Sequence, residues 1–178
     1  QRNCGSMHYL DQQIANDPER AARLEMIDSH TNAWVAGHDA EDRAVVTIPV
    51  VFHVVYANST QNISEARINA QLAQLNADFA RLNSDAGNTP SVFTGLAANT
   101  EVQFCLAQRD PSGNATTGIV RKSTTVSSFS DNDNMKRAAN GGSDAWPRDS
   151  YLNIWVCNLG SSLLGYAQFP GGAAATDG

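Results

Sequence analysis

Apolar positions are sparse before residue 44 and thicken abruptly at Val45. Residues 45–56, Val-Val-Thr-Ile-Pro-Val-Val-Phe-His-Val-Val-Tyr, are β-branched and apolar on both alternating faces. A strand of that texture is covered on both sides, as in an α/β sheet. Asn62-Ile-Ser-Glu65 reads as a capping box. Ile68, Leu72, Leu75, Phe79 and Leu82 follow at spacings of 4, 3, 4 and 3, the strongest periodicity in the chain. The stripe predicts an amphipathic helix over 63–83. Residues 102–107, Val-Gln-Phe-Cys-Leu-Ala, predict the next strand and complete a βαβ unit. Residues 110–150 are polar and predict a long connection with a weak strand around 118–121. A buried strand is expected over 151–159, and a shorter one with small residues over 163–169 suits a sheet edge.

The amino-terminal stretch has a different texture. Asp17-Pro18-Glu19 is a helix start, with Asp as cap, Pro in the first turn and Glu beside it. Leu24, Ile27, Thr31 and Trp34 form a thin stripe, and Gly37 is a natural stop, so a helix is expected over 18–36 after a short loop. Residues 1–43 carry 4 Arg against 8 Asp+Glu. Such a segment cannot build its own core and must pack on something else.

Composition narrows the function classes. The 178 residues are 42% hydrophobic and 17% charged, enough for a core and too few charges for a disordered chain. The net charge of -6 argues against a nucleic-acid partner. No run reaches the roughly 18 apolar residues of a membrane span, so no membrane partner is expected. The chain opens at Gln1 without a charged-then-apolar leader, read as one removed or not included. Asn58, Asn62 and Asn114 each begin a glycosylation sequon, meaningful only in a eukaryotic secreted protein.

The residues that carry chemistry are few. His8, His30 and His38 read as solvated groups, and His53, inside a strand, as a hydrogen-bonded core residue. There is no His-Glu-x-x-His, no Cys-x-x-Cys and no phosphate-binding glycine loop. Arg2-Asn-Cys4-Gly5 is the one short motif with a sharp physical meaning. A thiolate is a strong zinc ligand, a glycine beside it allows close approach, and an arginine can pair with a carboxylate. The same letters also fit a disulfide from Cys4 to Cys105 or Cys157, or an idle thiol. A cysteine hydrolase built on Cys4 is disfavoured, because nothing orients a base near it.

Several segments in order change the weighting. Ile48-Pro-Val-Val-Phe-His-Val-Val-Tyr56, Ile63-Ser-Glu through Leu75-Asn-Ala-Asp-Phe79 and Val102-Gln-Phe-Cys-Leu-Ala107 are followed by two more. These are Trp146-Pro-Arg-Asp-Ser-Tyr-Leu-Asn-Ile-Trp-Val156 and Leu164-Gly-Tyr-Ala-Gln-Phe-Pro170. Together they resemble the N-terminal part of a pappalysin-family zinc metallopeptidase of the metzincin clan. Residues 1–43 resemble the short prosegments of that family, whose Arg-x-Cys-Gly motif is a cysteine switch.

The resemblance implies an α/β fold: the upper subdomain, a mixed twisted sheet with a long backing helix, preceded by a helical prosegment over 1–43. It implies a latent secreted zinc endopeptidase, with Cys4 as zinc ligand in the latent form and Arg2 and Gly5 in support. In metzincins the upper edge strand pairs antiparallel with the substrate peptide, which falls here on Leu163, Leu164, Gly165, Tyr166 and Ala167. The prosegment around Cys4 is expected to cross that cleft. Relatives prefer arginine after the scissile bond, which makes Asp42-Arg43 the candidate activation cut; a simple linker is the alternative.

The family's zinc helix and methionine turn lie further along, so no catalytic residue is expected within 1–178. The remainder, as a separate chain or as the continuation of this one, is an implied partner beside the peptide or protein substrate. Calcium is common in the family, with ligands mostly past residue 178. Cys105 and Cys157 are expected on strands with the first strand between them, which disfavours a bridge. The competing class is a catalytically incomplete domain that binds peptides or partners through its edge strand.

Overall fold

The computed structural model describes residues 3–38, 44–160 and 162–172. Arg2, Asp42 and Arg43 lie outside the described residues. The sheet is organised on one long strand, β2 (Val46–Tyr56), whose β-branched run predicts its burial; Val50 to Val55 are all buried. Three strands pair with it, all in parallel. β3 (Val102–Leu106) pairs residues 46–50, β4 (Ile119–Ser123) pairs 52–56 and β5 (Leu152–Val156) pairs 50–54.

β3 and β4 lie end to end on one flank of β2. Ala107 N donates to Val50 O at 2.9 Å and Phe52 N donates to Gly118 O at 2.9 Å, so the chain leaves the sheet after β3 and rejoins it at β4. Gly118, at φ +71°, permits the return: a Cβ there would sit 2.8 Å from Ala107 N. The opposite flank belongs to β5. β2 therefore separates Cys105 from Cys157, and both thiols are free.

Helix α3 (Glu65–Phe79) backs one face of the sheet. Ile68, Leu72 and Leu75 pack against Val50, Phe52, Val54 and Phe104. Ile68, fully buried, contributes about 1.5–3 kcal/mol, and the partly buried Leu72 and Leu75 less. Asn76 fastens the helix to the edge of β3: its Nδ2 donates to Phe104 O at 2.9 Å and its Oδ1 accepts from Phe104 N at 2.7 Å.

Three details of this helix differ from the sequence reading. The cap is Ser64, whose side chain accepts from Arg67 N, while Asn62 instead accepts from the Arg121 guanidinium. The helix closes at Phe79, because Arg81 turns into the left-handed region at φ 56°. Leu82, the last residue of the periodic stripe, is consequently 81% exposed.

The other face of β2 is covered by the polar connection. Val55 packs with Phe129, Met135 and Trp155. His53 is fully buried, with Nδ1 2.9 Å from Ser143 Oγ and Nε2 3.0 Å from Asn153 Oδ1.

The amino-terminal segment holds two helices, α1 (Ser6–Asn16) and α2 (Glu19–Ala36), where the sequence predicts a loop and one helix. α1 is polar and offers no stripe; only Tyr9 is buried from it. Asp17 breaks the pair and starts α2, with its Oδ1 accepting from Glu19 N at 3.1 Å. The expected strand 163–169 is shorter, β6 (Leu163–Gly165), and pairs with a two-residue strand, β1 (Asn3–Cys4).

Candidate functional site

β1 and β6 bring the sequence motif and the candidate edge strand together. Asn3 N donates to Ser162 O at 2.9 Å and Gly5 N to Gly165 O at 2.8 Å. Asn3 faces Leu163 and Cys4 faces Gly165, in parallel and with a register shift between them. Gly5 is buried against this strand. A Cβ on it would sit 3.0 Å from Leu163 Cδ2 and 3.5 Å from Tyr166 Cβ, so the absent side chain permits the approach.

Cys4 itself is exposed. Ser6 Oγ lies 3.4 Å from its sulfur and accepts from Ala167 N at 2.9 Å. With its oxygen engaged by that amide, the Ser6 hydroxyl proton is free to point at sulfur. Hydrogen bonds from the Ser6 side chain and then from its amide hold the Cys4 thiol below its ordinary range. The start of α1 two residues later, at Ser6, adds the positive end of a helix dipole, which also favours thiolate. These contacts all shift the thiol in the direction of thiolate, the form in which sulfur is a soft donor. Among the described residues no group of three or more His, Cys, Asp or Glu could hold a metal ion.

Further contacts carry the amino-terminal segment along residues 162–171. The Tyr9 hydroxyl donates to Asp133, and the Tyr166 hydroxyl donates to Asp133 Oδ1 at 3.0 Å. Burial first, and then the neighbouring carboxylate, push both phenols upward, so they remain donors. Lys136 Nζ lies 3.3 Å from Asp133 Oδ1 and within 5.4–5.8 Å of the ring centroids of Tyr9, Trp155 and Tyr166. Gln13 Nε2 donates to Gln168 Oε1 at 3.1 Å. Arg20, 2% exposed, donates to Phe169 O at 2.6 Å and to Pro170 O.

None of Tyr9, Asp133, Lys136 or Arg20 stands out in the sequence as a site residue. Tyr9 and Arg20 find their partners more than a hundred positions away, and Asp133 and Lys136 also join residues 19–33 positions further on, so no local pattern reports them. A buried arginine in a polar helix also runs against the usual exposure of that residue type.

The candidate edge residues divide by exposure. Leu164 is 64% exposed and Ala167 is exposed, whereas Leu163, Gly165 and Tyr166 are half-buried. Between this segment and β5 lies an apolar cavity of about 740 Å³, lined by Leu75, Phe79, Phe104, Ile154, Leu164 and Tyr166 among others. Cys157, on its rim, is pushed up to about 11 by burial and is no candidate nucleophile. His8 is exposed and lies 2.8 Å from Asp131 Oδ2. No described helix is long and apolar enough to cross a membrane.

No family model and no curated protein matches the chain. Solved structures do. A promirolysin mutant from Tannerella forsythia is 46% identical over 99% of this chain and 58% of its own, with a TM-score of 0.81. Mature mirolysin from the same organism, in complex with a cleaved peptide, is 54% identical over 76% of this chain and 52% of its own, at 0.72. Mirolysin in complex with compound 9 is 56% identical over 72% and 48%, at 0.68. The chain thus spans about half the length of the structures it matches.

An α/β sheet domain with a helical leading segment folded back on it is the arrangement that aligns with the promirolysin structure over 99% of this chain. At 46–56% identity the chain is similar to mirolysin and promirolysin, in line with the resemblance to pappalysin-type metzincins read from its sequence.

Proposed function

We propose that the chain is the N-terminal portion of a latent, secreted zinc metalloendopeptidase. Residues 1–43 are its prosegment and residues 44–178 the upper part of its catalytic domain. One observation carries the reading: Cys4 is laid by main-chain bonds against Gly165, with its thiol exposed and hydrogen-bonded in the way that favours thiolate. The comparisons support the same division. The pro form aligns with 99% of the chain and mature mirolysin with 76%, close to the share that follows residue 43.

The remaining metal ligands and the general base would come from polypeptide beyond Gly178. Zinc supplies a water activated for attack on a peptide carbonyl. In this chain Cys4 donates its sulfur while the precursor is latent, Gly5 lets that segment lie flat and Arg2 pairs with a carboxylate. Calcium, if the enzyme uses it, binds mostly outside 1–178. The apolar cavity between β5 and residues 164–170 is where further sheet or helix of the complete protein would pack.

Once the prosegment leaves, residues 163–167 offer their main chain to a peptide by strand addition. The complex of mature mirolysin with a cleaved peptide supports a peptide as the ligand. β1 runs parallel to β6, opposite to the antiparallel substrate the family uses, so the prosegment occupies the strand in a non-substrate direction. Release follows a cut at Asp42-Arg43.

The test is made on the full coding sequence. The complete precursor should contain one zinc per chain and hydrolyse a peptide after removal of residues 1–43. The Cys4→Ala variant should process itself faster. A complete precursor without zinc, or equal processing rates in parent and variant, overturns the proposal.

A further inference from the structure

Cys4 is only the first of the contacts that hold the leading segment, and the tightest burial lies elsewhere. α1 is 11 residues, about 16 Å at 1.5 Å per residue, and Arg20 sits beyond its far end. The Arg20 side chain is 2% exposed. Its Nη2 donates to Phe169 O at 2.6 Å and its Nη1 to Pro170 O, while Nε has no partner. A guanidinium is buried here by two main-chain carbonyls rather than by an anion.

The surroundings are shaped to admit it. Gly171 adopts φ +81°, and a Cβ there would stand 2.9 Å from Arg20 Nη1 and 3.0 Å from Ile27 Cδ1. Arg23, held by Asp17, reaches Gly171 O with Nε at 3.3 Å, so the same turn is gripped twice. Midway along, Tyr9 is 5% exposed and closes on Asp133. Every one of these contacts is made by atoms of residues 9–27 and 133–171, without a metal.

We infer that the prosegment is held by a second, metal-independent latch, the Arg20 guanidinium clamped on the Phe169 and Pro170 carbonyls, which keeps the segment docked as a bound inhibitor after its covalent link is cut. The inference rests on the reading of residues 1–43 as a prosegment and adds that cutting and release are separate events. Cys4 blocks the metal; Arg20 sets how long the severed segment stays. Charge-assisted bonds to carbonyls lose their donor entirely on truncation, while the carbonyls left behind regain water.

The experiment uses the complete precursor with a specific-protease sequence placed between Gly37 and Ala44 and a fluorophore on the leading segment. After cutting, a chelator is kept present so that neither the thiol–metal bond nor peptide hydrolysis contributes. The rate at which the fragment leaves is then read on dilution. The parent and Cys4→Ala should retain the fragment with rates within threefold of each other. Arg20→Ala should release it at least tenfold faster, and Gly171→Ala, on the opposite side of the contact, should do the same.

Once the fragment has gone, the remaining body is chemically identical in the parent and Arg20→Ala, so a misfolded body cannot explain a difference. Equal release from the parent and Arg20→Ala, or loss of the parent's fragment as soon as metal is stripped, overturns the latch. The readout is retention, so it decides the latch even if the complete protein hydrolyses nothing. Failure of the latch in turn leaves the metal content and hydrolysis tests untouched.

Discussion

His53 is the residue whose replacement and titration test the sheet most sharply. It is fully buried, its ring stacks on Trp155 at 4.9 Å, and the edge of Trp146 faces it at 6.4 Å. The tautomer follows from its neighbours. Asn153 Nδ2 donates to Trp146 O at 2.9 Å and its Oδ1 accepts from Trp146 N at 2.8 Å, which fixes Oδ1 as an acceptor toward the ring. His53 Nε2 therefore carries the proton, and Nδ1 accepts from Ser143 Oγ.

Burial lowers the His53 pKa, against smaller opposing effects from the Asn153 hydrogen bond and the nearby Asp144 carboxylate. A lowered folded-state pKa means that the unfolded chain takes up the proton first. The contribution is intact above the unfolded value of about 6.5 and is lost as pH falls through and below it, at up to about 1.4 kcal/mol per pH unit. Substitution by leucine keeps apolar volume but removes two hydrogen bonds, a cost of about 2–3 kcal/mol at pH 7.5.

The assay is urea unfolding of the complete precursor at pH 7.5 and 5.5, parent against His53→Leu. The parent should lose about 1 kcal/mol more than the variant on acidification, and the gap between the two should narrow. Parallel pH dependences would refute the buried neutral imidazole.

Other expectations follow from single contacts. Asn76→Ala should lower stability by about 2–4 kcal/mol in thermal or urea unfolding, since both main-chain groups of Phe104 lose their partner. Gly118→Ala should cost about 2–4 kcal/mol, from the left-handed φ and the 2.8 Å approach to Ala107 N. In chelated protein, alkylation followed by mass spectrometry should find Cys4 modified well before Cys157, because the first thiol is exposed and lowered and the second is raised to about 11 by burial.

How much of this was legible depended on whether the signal was local. β2, β3 and β5 are runs of β-branched and aromatic residues, and a buried parallel strand needs little else. The stripe from Ile68 to Phe79 placed α3, but the helix end was set by the turn at Arg81, and the periodic Leu82 was left outside. The cap moved from Asn62 to Ser64 because Asn62 has a competing partner in Arg121, which lies 59 residues away. α1 was missed because its only buried residue, Tyr9, is held by Asp133 and Tyr166 rather than by a stripe of its own. Arg20 was missed for the same reason: its partners are two carbonyl oxygens, which carry no sequence signature. Cys4 and the strand beginning at Leu163 were visible as separate candidates, one through thiolate chemistry and family resemblance, the other through small-residue edge texture.

The central claim is that the Cys4 sulfur binds the catalytic metal of the complete precursor. Replacing the metal with cobalt(II) makes the bond visible, because a thiolate–cobalt contact adds a near-ultraviolet charge-transfer band that oxygen and imidazole ligands lack. The cobalt-loaded precursor should show this band, and Cys4→Ser should abolish it while retaining one cobalt per chain. A precursor without the band, or one in which Cys4→Ser leaves it unchanged, contradicts the account.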